Sequence, residues 1–312
     1  MQLFESLAEI PADFGPSVVS IGKFDGMHAG HRRVIADLLE VAAREHLTAV
    51  AVTFDRHPLS IVRPELCPAP LLSNAQKLEL LADTGIEATL MLTFDEARSK
   101  QSPEGFVREV LVGALRARVL LVGSDFRFGA KGAGTVELLK QLGPELGFNV
   151  QLIDDVTSGE RRASSTWIRE LLSSGQIAEA TRLLGRSPSV RATVVGGHQR
   201  GRTLGYPTAN LSPDVEGFVP ADGVYAAHII IDGTRYGAAV SIGNNPTFAD
   251  VPEKTVEAHV LDESLDLYDK IVDVEFVDYV RPMHKFPDAD ALAKQMHADE
   301  LHIRSVLGQP HA

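Results

Sequence analysis

The chain has 312 residues, enough for two domains that each bury an apolar core. Its 42 acidic residues outnumber its 30 basic ones and give a formal net charge of −12, which argues against non-specific binding to nucleic acid or to an anionic membrane. The single cysteine, Cys67, excludes an internal disulfide and a cysteine-based zinc site. Neither a signal-peptide pattern nor an apolar stretch of about 18 residues occurs, so we expect a soluble, cytoplasmic protein.

The first half of the chain alternates short apolar runs with helical patterns. Strands are predicted at SVVSIG, TAVAVTF, ATLMLTF, RVLLVG and FNVQLID, with amphipathic helices between them. Continuous apolar strands separated by helices indicate a parallel sheet that is covered on both faces, as in a doubly wound α/β domain. One crossover contains RHPLSIVRPELCPAPLLS, whose four prolines predict a long non-helical loop.

The pattern changes after Asp154. SSTWIRELLSSGQIAEATRLLGR predicts two short helices, the first capped by one of its leading serines, that close the first domain. From about Ser187, alternating strands with Gly, Pro, Asn and Asp turns predict a compact antiparallel barrel, and a final helix follows Pro287. We therefore predict a doubly wound parallel-sheet α/β domain over residues 1–186 and a small antiparallel β-barrel domain with a C-terminal helix over residues 187–312.

The stretch GKFDGMHAGH lies between the first of these predicted strands and the helix that follows it. Gly22 and Gly30 allow the backbone to approach a ligand, and amides at the start of the helix face an anion. His28 and His31 can direct donors at one phosphate group, and nucleotidyl transfer needs mainly such positioning and charge stabilisation. The residues alone leave two ordinary histidines as an alternative. A metal pair is disfavoured because no third ligand lies at suitable spacing.

This stretch resembles the GxFDGxHxGH signature of the bacterial bifunctional riboflavin kinase/FAD synthetase family, which is part of the wider group of HxGH nucleotidylyltransferases. Further segments resemble motifs of that family in its order: FDRHP at 54–58, with Arg56 in place of the usual proline, VGSDFRFGAKGAG at 122–134, and SSTWIR at 164–169. The resemblance implies a set of adenylyltransferase residues: catalytic His28 and His31; ATP and phosphate contacts from Gly22, Phe24, Asp25, Gly30, Asp125, Ser164, Ser165, Thr166 and Arg169; and a flavin contact from His57.

These shorter motifs also have simpler interpretations. Taken alone, SSTW is a helix N-cap. GSDFRFG alone is a strand-to-helix turn in which Asp125 hydrogen-bonds its own loop. Their common order along the chain is what makes the resemblance specific.

The second half contains GHQRGRTLGYPTANL, a glycine-arginine loop followed by a Pro-Thr-Ala-Asn turn. Thr208 and Asn210 offer neutral hard oxygens, which suit a Mg²⁺ ion that keeps most of its waters and takes other ligands from ATP. Arg200 and Arg202 are spaced to cover the phosphates. As a bare tetrapeptide, PTAN is an ordinary turn, but the whole segment resembles the riboflavin kinase signature of the same family.

The segment TVEAHVLD alternates, with Val256, Ala258 and Val260 on one face and Glu257 and His259 on the other. By pattern alone Glu257 is a solvated strand residue. The segment resembles the family strand that carries the general base, and NNPTF and RPMHKF also match family segments. The resemblance implies these kinase residues: Glu257 as base on the ribityl 5′-hydroxyl; Thr208 and Asn210 as Mg²⁺ ligands; Gly197, Arg200, Gly201 and Arg202 at the ATP phosphates; and Arg281 and Phe286 near the flavin.

The resemblance covers roughly residues 15–307. It implies ATP-dependent phosphorylation of riboflavin to FMN in the second domain and adenylylation of FMN to FAD, with release of pyrophosphate, in the first, with Mg²⁺ serving both steps. The expected partners are small molecules, namely riboflavin, FMN, FAD and ATP, and neither nucleic acid nor membrane; homo-oligomer formation stays open. A nucleotidylyltransferase for another phosphate acceptor is disfavoured by GYPTAN, and an inactive flavin- or nucleotide-binding regulator is disfavoured by the full set of catalytic side chains.

Overall fold

The computed structural model describes residues 1–154, 156–159, 161–196, 205–243, 255–263 and 265–309. The chain divides into two compact units, Met1–Ser164 and Ser165–Ala312, and each is described by itself below. No described helix combines the length and the apolar character needed to cross a membrane.

Within the described residues, the first unit is built on a six-stranded sheet in the order β1-β4-β3-β2-β5-β6. Every neighbouring pair is parallel, so the predicted parallel sheet is confirmed. The strands are β1 (Gln2–Phe4), β2 (Ser17–Ile21), β3 (Thr48–Phe54), β4 (Ala88–Leu92), β5 (Ala117–Gly123) and β6 (Asn149–Ile153). The edge strand β1 is missing from the sequence prediction because its three residues are too few to show a period.

The helices of this unit cover both faces of the sheet. They are α1 (Ala29–Glu45), α2 (Leu59–Val62), α3 (Asn74–Ala82), α4 (Glu96–Lys100), α5 (Pro103–Phe106, continued by a π-helical segment, Val107–Ala114) and α6 (Val136–Leu146). Val18 of β2 packs in one core with Leu38 of α1, whereas Val19 packs in the opposite core with Leu139 of α6. The chain therefore changes face between β2 and β5, and ligands of such sheets bind at the carboxyl ends of the strands at this point.

The sequence predicts a non-helical loop for the proline-rich crossover after β3, but the structure contains short helical elements there. It contains α2 and a 3₁₀ turn, Pro64–Leu66. Both elements are single turns that directly follow or begin with a proline, whose fixed φ suits the start of a helix. The first unit also contains a short hairpin of β7 (Thr157–Ser158) and β8 (Arg161–Arg162), which the sequence does not predict.

The two predicted short helices are present as α7 (Ser165–Ser173) and α8 (Ile177–Leu184), but they belong to the second compact unit instead of closing the first. The six described barrel strands of the second unit close in the order β10-β13-β12-β11-β14-β9, and every neighbouring pair is antiparallel. They are β9 (Ser189–Val195), β10 (Ala209–Leu211), β11 (Gly223–Ile231), β12 (Thr234–Gly243), β13 (Thr255–Val260) and β14 (Ile271–Arg281). The predicted barrel is confirmed.

The final helix, α9 (Ala289–Leu307), is also confirmed, and Asp288 caps it by accepting a hydrogen bond from the Ala291 amide. The predicted Pro-Thr-Ala-Asn turn needs a correction: Ala209 and Asn210 lie in β10, between β13 and β9, because barrel closure supplies partners that a tetrapeptide does not show. Helix α8 packs on β14 within the second unit. The compact units thus divide before α7, and the domain boundary at residue 186 stays a prediction.

Candidate active sites

The loop between β2 and α1 makes a tight turn. Phe24, Gly26 and Met27 have φ values of 48°, 87° and 43°. Such values are costly for Phe and Met, but both side chains are buried, at 1% and 2% exposure. Burial of two large apolar side chains offsets the backbone strain and holds the loop against the sheet.

His28 is the N-cap of α1. Its Nδ1 accepts a hydrogen bond from the Gly30 amide at 3.2 Å, so the proton of the ring lies on Nε2, which is a donor. A Cβ atom at position 30 would lie 3.1 Å from Cε1 of His28, so glycine there leaves room for the ring. The N-cap role, which places a histidine ring at the positive end of the helix, does not follow from the sequence motif.

His31 lies one turn into α1, and its ring stacks on that of His28 with a centroid separation of 3.8 Å and an interplanar angle of 23°. Burial of the ring, reinforced by electrostatic interactions with His28, Lys23, Arg162 and Arg32, holds the pKa of His31 well below its ordinary value. His31 is therefore a neutral imidazole near pH 7. Its buried Nδ1 has no hydrogen-bond partner among the described residues.

Three basic residues that the sequence analysis did not single out surround this pair. Lys23, Arg32 and Arg162 all act electrostatically on His31. Arg32 donates to the Met27 carbonyl at 2.9 Å, and Arg162 pairs with Asp125 at 2.8 Å. In a chain with a net charge of −12, this local positive field favours an anionic ligand. The sequence gives no signal for Arg162, because its contact with Asp125 depends on a short hairpin that the sequence does not predict.

Asp125 follows β5, on the other side of β2 from β3. Its carboxylate forms an ion pair with Arg162. Its contacts are therefore not confined to its own loop. Next to this hairpin, the Ala163 carbonyl lies 3.9 Å from the Cβ position of residue 30, so the segment that leads into Ser164 passes beside the histidine loop. Ser165, Thr166 and Arg169 lie in α7, which belongs to the second unit.

His57 lies in the loop after β3. Its Nδ1 accepts from the Leu59 amide at 3.1 Å, and its Nε2 lies 3.2 Å from Nζ of Lys23. The neighbouring Arg56, which stands where proline is usual in the family, binds the Asp55 carboxylate through Nε and Nη2 at 3.2 and 3.0 Å. Lys23 thus brings the loops after β2 and β3 together.

Side chains at the start and in the middle of helix α3 hold the loop after β3 in place. Lys77, only 7% exposed, donates to the Phe54 carbonyl at 2.7 Å, and Asn74 donates to the Asp55 carbonyl at 2.7 Å. Burial lowers the pKa of Lys77, while the carboxylates of Asp25 and Asp55 oppose the shift. The sequence does contain a signal for this buried lysine: Lys77 lies four residues before Leu81, on the apolar face of α3.

Gly22, Phe24 and Asp25 shape the loop after β2. The Gly22 amide donates to the Val52 carbonyl of β3 at 3.0 Å. A Cβ at position 22 would lie 3.2 Å from the Phe24 ring. One oxygen of Asp25 accepts from the Leu71 amide at 2.8 Å, which ties this loop to the crossover after β3. The predicted phosphate contacts of these residues stay predictions.

In the second unit, the strand alternation is confirmed: Val256, Ala258 and Val260 are buried and Glu257 is half-buried. Thr208 donates through Oγ1 to Oε2 of Glu257 at 3.3 Å. Asn210 lies directly opposite Glu257 in the β10–β13 register, so their side chains are neighbours on one face. A hydroxyl, an amide and a carboxylate therefore share one face of the barrel.

His259 supports this group, although the sequence analysis gave it no role. Its Nδ1 lies 2.8 Å from the Pro207 carbonyl, and the Tyr206 ring meets its ring edge-on at 5.2 Å. A neutral or charged imidazole can donate from Nδ1 to this carbonyl. The contact fixes the backbone directly before Thr208.

Arg281 forms an ion pair with Asp299 of α9. Its Nε lies 3.0 and 2.9 Å from the two carboxylate oxygens, and its Nη2 lies 2.7 Å from one of them. The guanidinium carbon also lies 5.6 Å from the centre of the Phe286 ring, so the structure brings these two predicted flavin residues together. The other predicted kinase residues, Gly197, Arg200, Gly201 and Arg202, lie outside the described residues, as does NNPTF.

The two units define a class: a transferase with two separate groups of side chains suited to nucleotide phosphates. A model of the FAD synthetase family matches residues 10–167, and a model of the riboflavin kinase family matches residues 184–307. The chain belongs to the bifunctional riboflavin kinase/FMN adenylyltransferase family.

Individual relatives support this membership over nearly the whole chain. The bifunctional riboflavin kinase/FMN adenylyltransferase of Escherichia coli (strain K12) is 35% identical over 93% of each chain. That of Listeria monocytogenes serovar 1/2a is 33% identical over 92% of this chain and 91% of its own. A crystal structure from Streptococcus pneumoniae, named a macrolide-efflux protein, has a TM-score of 0.85 and 32% identity over 97% of this chain and 98% of its own. The efflux name is that protein's, and the likeness establishes the shared fold.

Proposed function

We propose that the His28–His31 pair carries the FMN adenylyltransferase reaction of this bifunctional enzyme and that Glu257 with Thr208 and Asn210 carries the riboflavin kinase reaction. The observation that supports this most directly is the stacked pair of imidazoles at the start of α1, one of which caps the helix, together with three basic side chains that act on His31.

In adenylyl transfer, an oxygen of the FMN phosphate forms a bond to the α-phosphorus of ATP while the bond to pyrophosphate breaks. The protein needs to supply no nucleophile, since positioning and charge stabilisation account for most catalysis of this kind. Nε2–H of His28 donates to an oxygen that gains charge, and the amides at the start of α1 add to it. His31, being neutral, carries one N–H donor and adds no positive charge next to the ring of His28.

The remaining adenylyltransferase residues are assigned to binding. The turn around Gly22, Phe24 and Asp25 shapes the backbone next to the phosphates, and Asp125 holds Arg162 at the edge of the same group. Four further residues contribute hydroxyl donors and a guanidinium for ATP phosphates in this proposal: Ser164, Ser165, Thr166 and Arg169. Resemblance to the SSTxIR motif of the family supports that assignment.

In riboflavin phosphorylation, Glu257 accepts the proton of the ribityl 5′-hydroxyl as its oxygen attacks the γ-phosphorus of ATP and the bond to ADP breaks. Thr208 holds one carboxylate oxygen of Glu257, which leaves the other available to the substrate. Arg281 and Phe286 are proposed to lie near the flavin, and Gly197, Arg200, Gly201 and Arg202 near the phosphates, on resemblance alone.

The donors present fit a magnesium ion. Thr208 and Asn210 offer a hydroxyl and an amide oxygen beside one carboxylate, a hard-oxygen set that suits Mg²⁺. Among the described residues, no three His, Cys, Asp or Glu side chains gather as a metal site, so the ion takes its other ligands from ATP and water. When bound, it neutralises charge on the phosphates of ATP.

The test uses the full-length chain with riboflavin, ATP and Mg²⁺, and separates the products over time. We expect FMN first and then FAD, with one pyrophosphate for each FAD. Supplying FMN in place of riboflavin gives FAD without a lag. A chain that forms neither product contradicts the enzyme assignment, and one that adenylylates another phosphate acceptor in preference to FMN contradicts the acceptor.

Two further expectations stay predictions. A cytoplasmic location is supported by the single cysteine, whose side chain forms no disulfide. The domain boundary near residue 186 is supported by the two matched ranges, which end at 167 and begin at 184.

A further inference from the structure

The contact between Lys23 and His57 contains a conflict of hydrogen-bond donors. A neutral imidazole has one acceptor nitrogen, yet His57 has a donor at each nitrogen: the Leu59 amide 3.1 Å from Nδ1 and the Lys23 ammonium 3.2 Å from Nε2. The Leu59 amide is fixed at the first residue of α2 and takes Nδ1 as its acceptor. The proton of His57 then lies on Nε2, so that Nε2–H and the ammonium are two donors 3.2 Å apart.

Two donors at this distance share an anion readily, because one phosphate oxygen, or two oxygens of one phosphate, accepts from both. The loop after β3 is held in place before any ligand arrives, since Lys77 and Asn74 bind the carbonyls of Phe54 and Asp55. Lys23 is exposed and its ammonium adds to the field on His31. Lys23 is thus accessible to a ligand from solvent and is close enough to the histidines to act on His31.

We propose that Nζ of Lys23 and Nε2–H of His57 form an anion-binding pair that holds a phosphate group of a substrate during adenylyl transfer. This inference rests on the proposed function of the His28–His31 pair. The sequence-based role of His57 was contact with the flavin, and Lys23 had no role.

Besides the α-phosphate that is attacked, the reaction involves the phosphate of FMN and the departing pyrophosphate, which consists of the β- and γ-phosphates of ATP. In an in-line displacement they lie on opposite sides of the α-phosphorus. Lys23 and His57 follow β2 and β3, whereas Asp125 and Arg162 lie on the β5 side of β2. The two basic groups therefore lie with strands on opposite sides of β2, and we assign them to different phosphates.

The experiment compares Lys23→Met, which keeps the length of the side chain without its charge, with Lys23→Arg. Lys140→Met, at an exposed lysine of α6, is the matched control. Each full-length variant is assayed for the KM of FMN, the KM of ATP and kcat of adenylylation, and for riboflavin phosphorylation in the same sample. For Lys23→Met we expect a rise of about tenfold or more in one KM, the loss of one charged hydrogen bond. Lys23→Arg restores it, and kinase turnover is unchanged in every variant.

The affected substrate identifies the phosphate. A rise confined to FMN assigns the pair to the acceptor phosphate, and a rise confined to ATP assigns it to the pyrophosphate end. A rise in both that Lys23→Arg restores supports a position where the two meet. Unchanged KM values in Lys23→Met, or a rise that arginine does not restore, overturn the inference. Wild-type protein that forms no FAD instead overturns the proposed function.

A second measurement does not depend on activity. Proton–nitrogen correlation spectra of the histidine side chains, with the His57 signals assigned by their loss in His57→Gln, report which ring nitrogen carries the proton. We expect Nε2 to be protonated and Nδ1 bare in the ligand-free protein, and addition of inorganic pyrophosphate or FMN to shift the Nε2 signal in wild type and much less in Lys23→Met. A proton on Nδ1 overturns the inference.

Discussion

The rings of His28 and His31 stack 3.8 Å apart at the start of α1. Nδ1 of His28 accepts a hydrogen bond from the Gly30 amide, and His31, whose own Nδ1 is buried, lies within the same turn. His28 caps the helix and is only 6% exposed, whereas His31 is half-buried and packs against the rings of His28 and Phe24. Both therefore hold their orientation without a ligand, which is the preorganisation that electrostatic catalysis requires.

Replacing His28 separates its two roles. His28→Ala removes both the cap and the phosphate donor, whereas His28→Asn keeps a side chain that caps helices well. We expect both variants to lose about 10²-fold in adenylylation, and only His28→Ala to lose about 1 kcal/mol of unfolding free energy. Riboflavin phosphorylation is the internal control and stays unchanged. Equal loss of both activities in His28→Asn contradicts separate sites.

The neutral His31, which is half-buried, makes the stability of the fold depend on pH. Its pKa is lowered in the folded state, so the unfolded chain binds more protons between the folded pKa and the unfolded value of about 6.5. The stabilisation is complete above about pH 6.5 and is lost as the pH falls below it, by up to ~1.4 kcal/mol per pH unit for one proton.

Urea unfolding at pH 7.5, 6.5 and 5.5, monitored by far-UV circular dichroism, measures this slope. His31→Asn is expected to flatten it by one proton, and His46→Asn, at an exposed histidine with a φ of 55° that asparagine tolerates, is expected to leave it unchanged. Parallel pH slopes for wild type and His31→Asn contradict a buried neutral ring.

The predictable parts of the fold and sites are local in the chain. The strand-loop-helix order around GKFDGMHAGH can be predicted from consecutive residues. The same is true of the two-residue alternation that places Glu257 on the face opposite the core. Lys77, Arg162 and His259 act on residues 23 to 52 positions away. Nothing in a single sequence pairs residues over such distances, so these positioning contacts emerge only from the fold.

Glu257→Gln tests the kinase base. The amide keeps the size of the side chain and its contact with Thr208 but cannot accept the 5′-hydroxyl proton, so we expect riboflavin phosphorylation to fall by about 10² to 10⁴. FAD formation from supplied FMN remains at the wild-type rate. Glu275→Gln is the control, because Glu275 is a glutamate of β14 that pairs with Arg235 at 2.7 Å. Near-normal kinase turnover in Glu257→Gln removes the residue from this role.

Asn210→Asp tests the metal assignment. A second carboxylate beside Glu257 strengthens attraction for a divalent cation while adding repulsion for ATP. We expect the Mg²⁺ concentration for half-maximal kinase activity to change, and that for adenylylation to stay as in wild type. Ser212→Asp, just beyond the end of the same strand, serves as the control for added charge. Superimposable Mg²⁺ titrations of Asn210→Asp and wild-type kinase activity contradict the assignment.

Arg281 offers a test that separates folding from flavin binding. Its side chain and that of Asp299 are only 15% and 8% exposed, and removing one partner of a buried ion pair leaves the other charge uncompensated. Arg281→Met is therefore expected to lower the unfolding free energy by about 3–5 kcal/mol. Arg182→Met, which breaks the exposed pair with Glu179, is expected to cause no measurable change. Guanidinium unfolding of both variants measures the difference. A stable Arg281→Met protein whose KM for riboflavin rises instead shows that the guanidinium serves the flavin more than the attachment of α9 to the barrel.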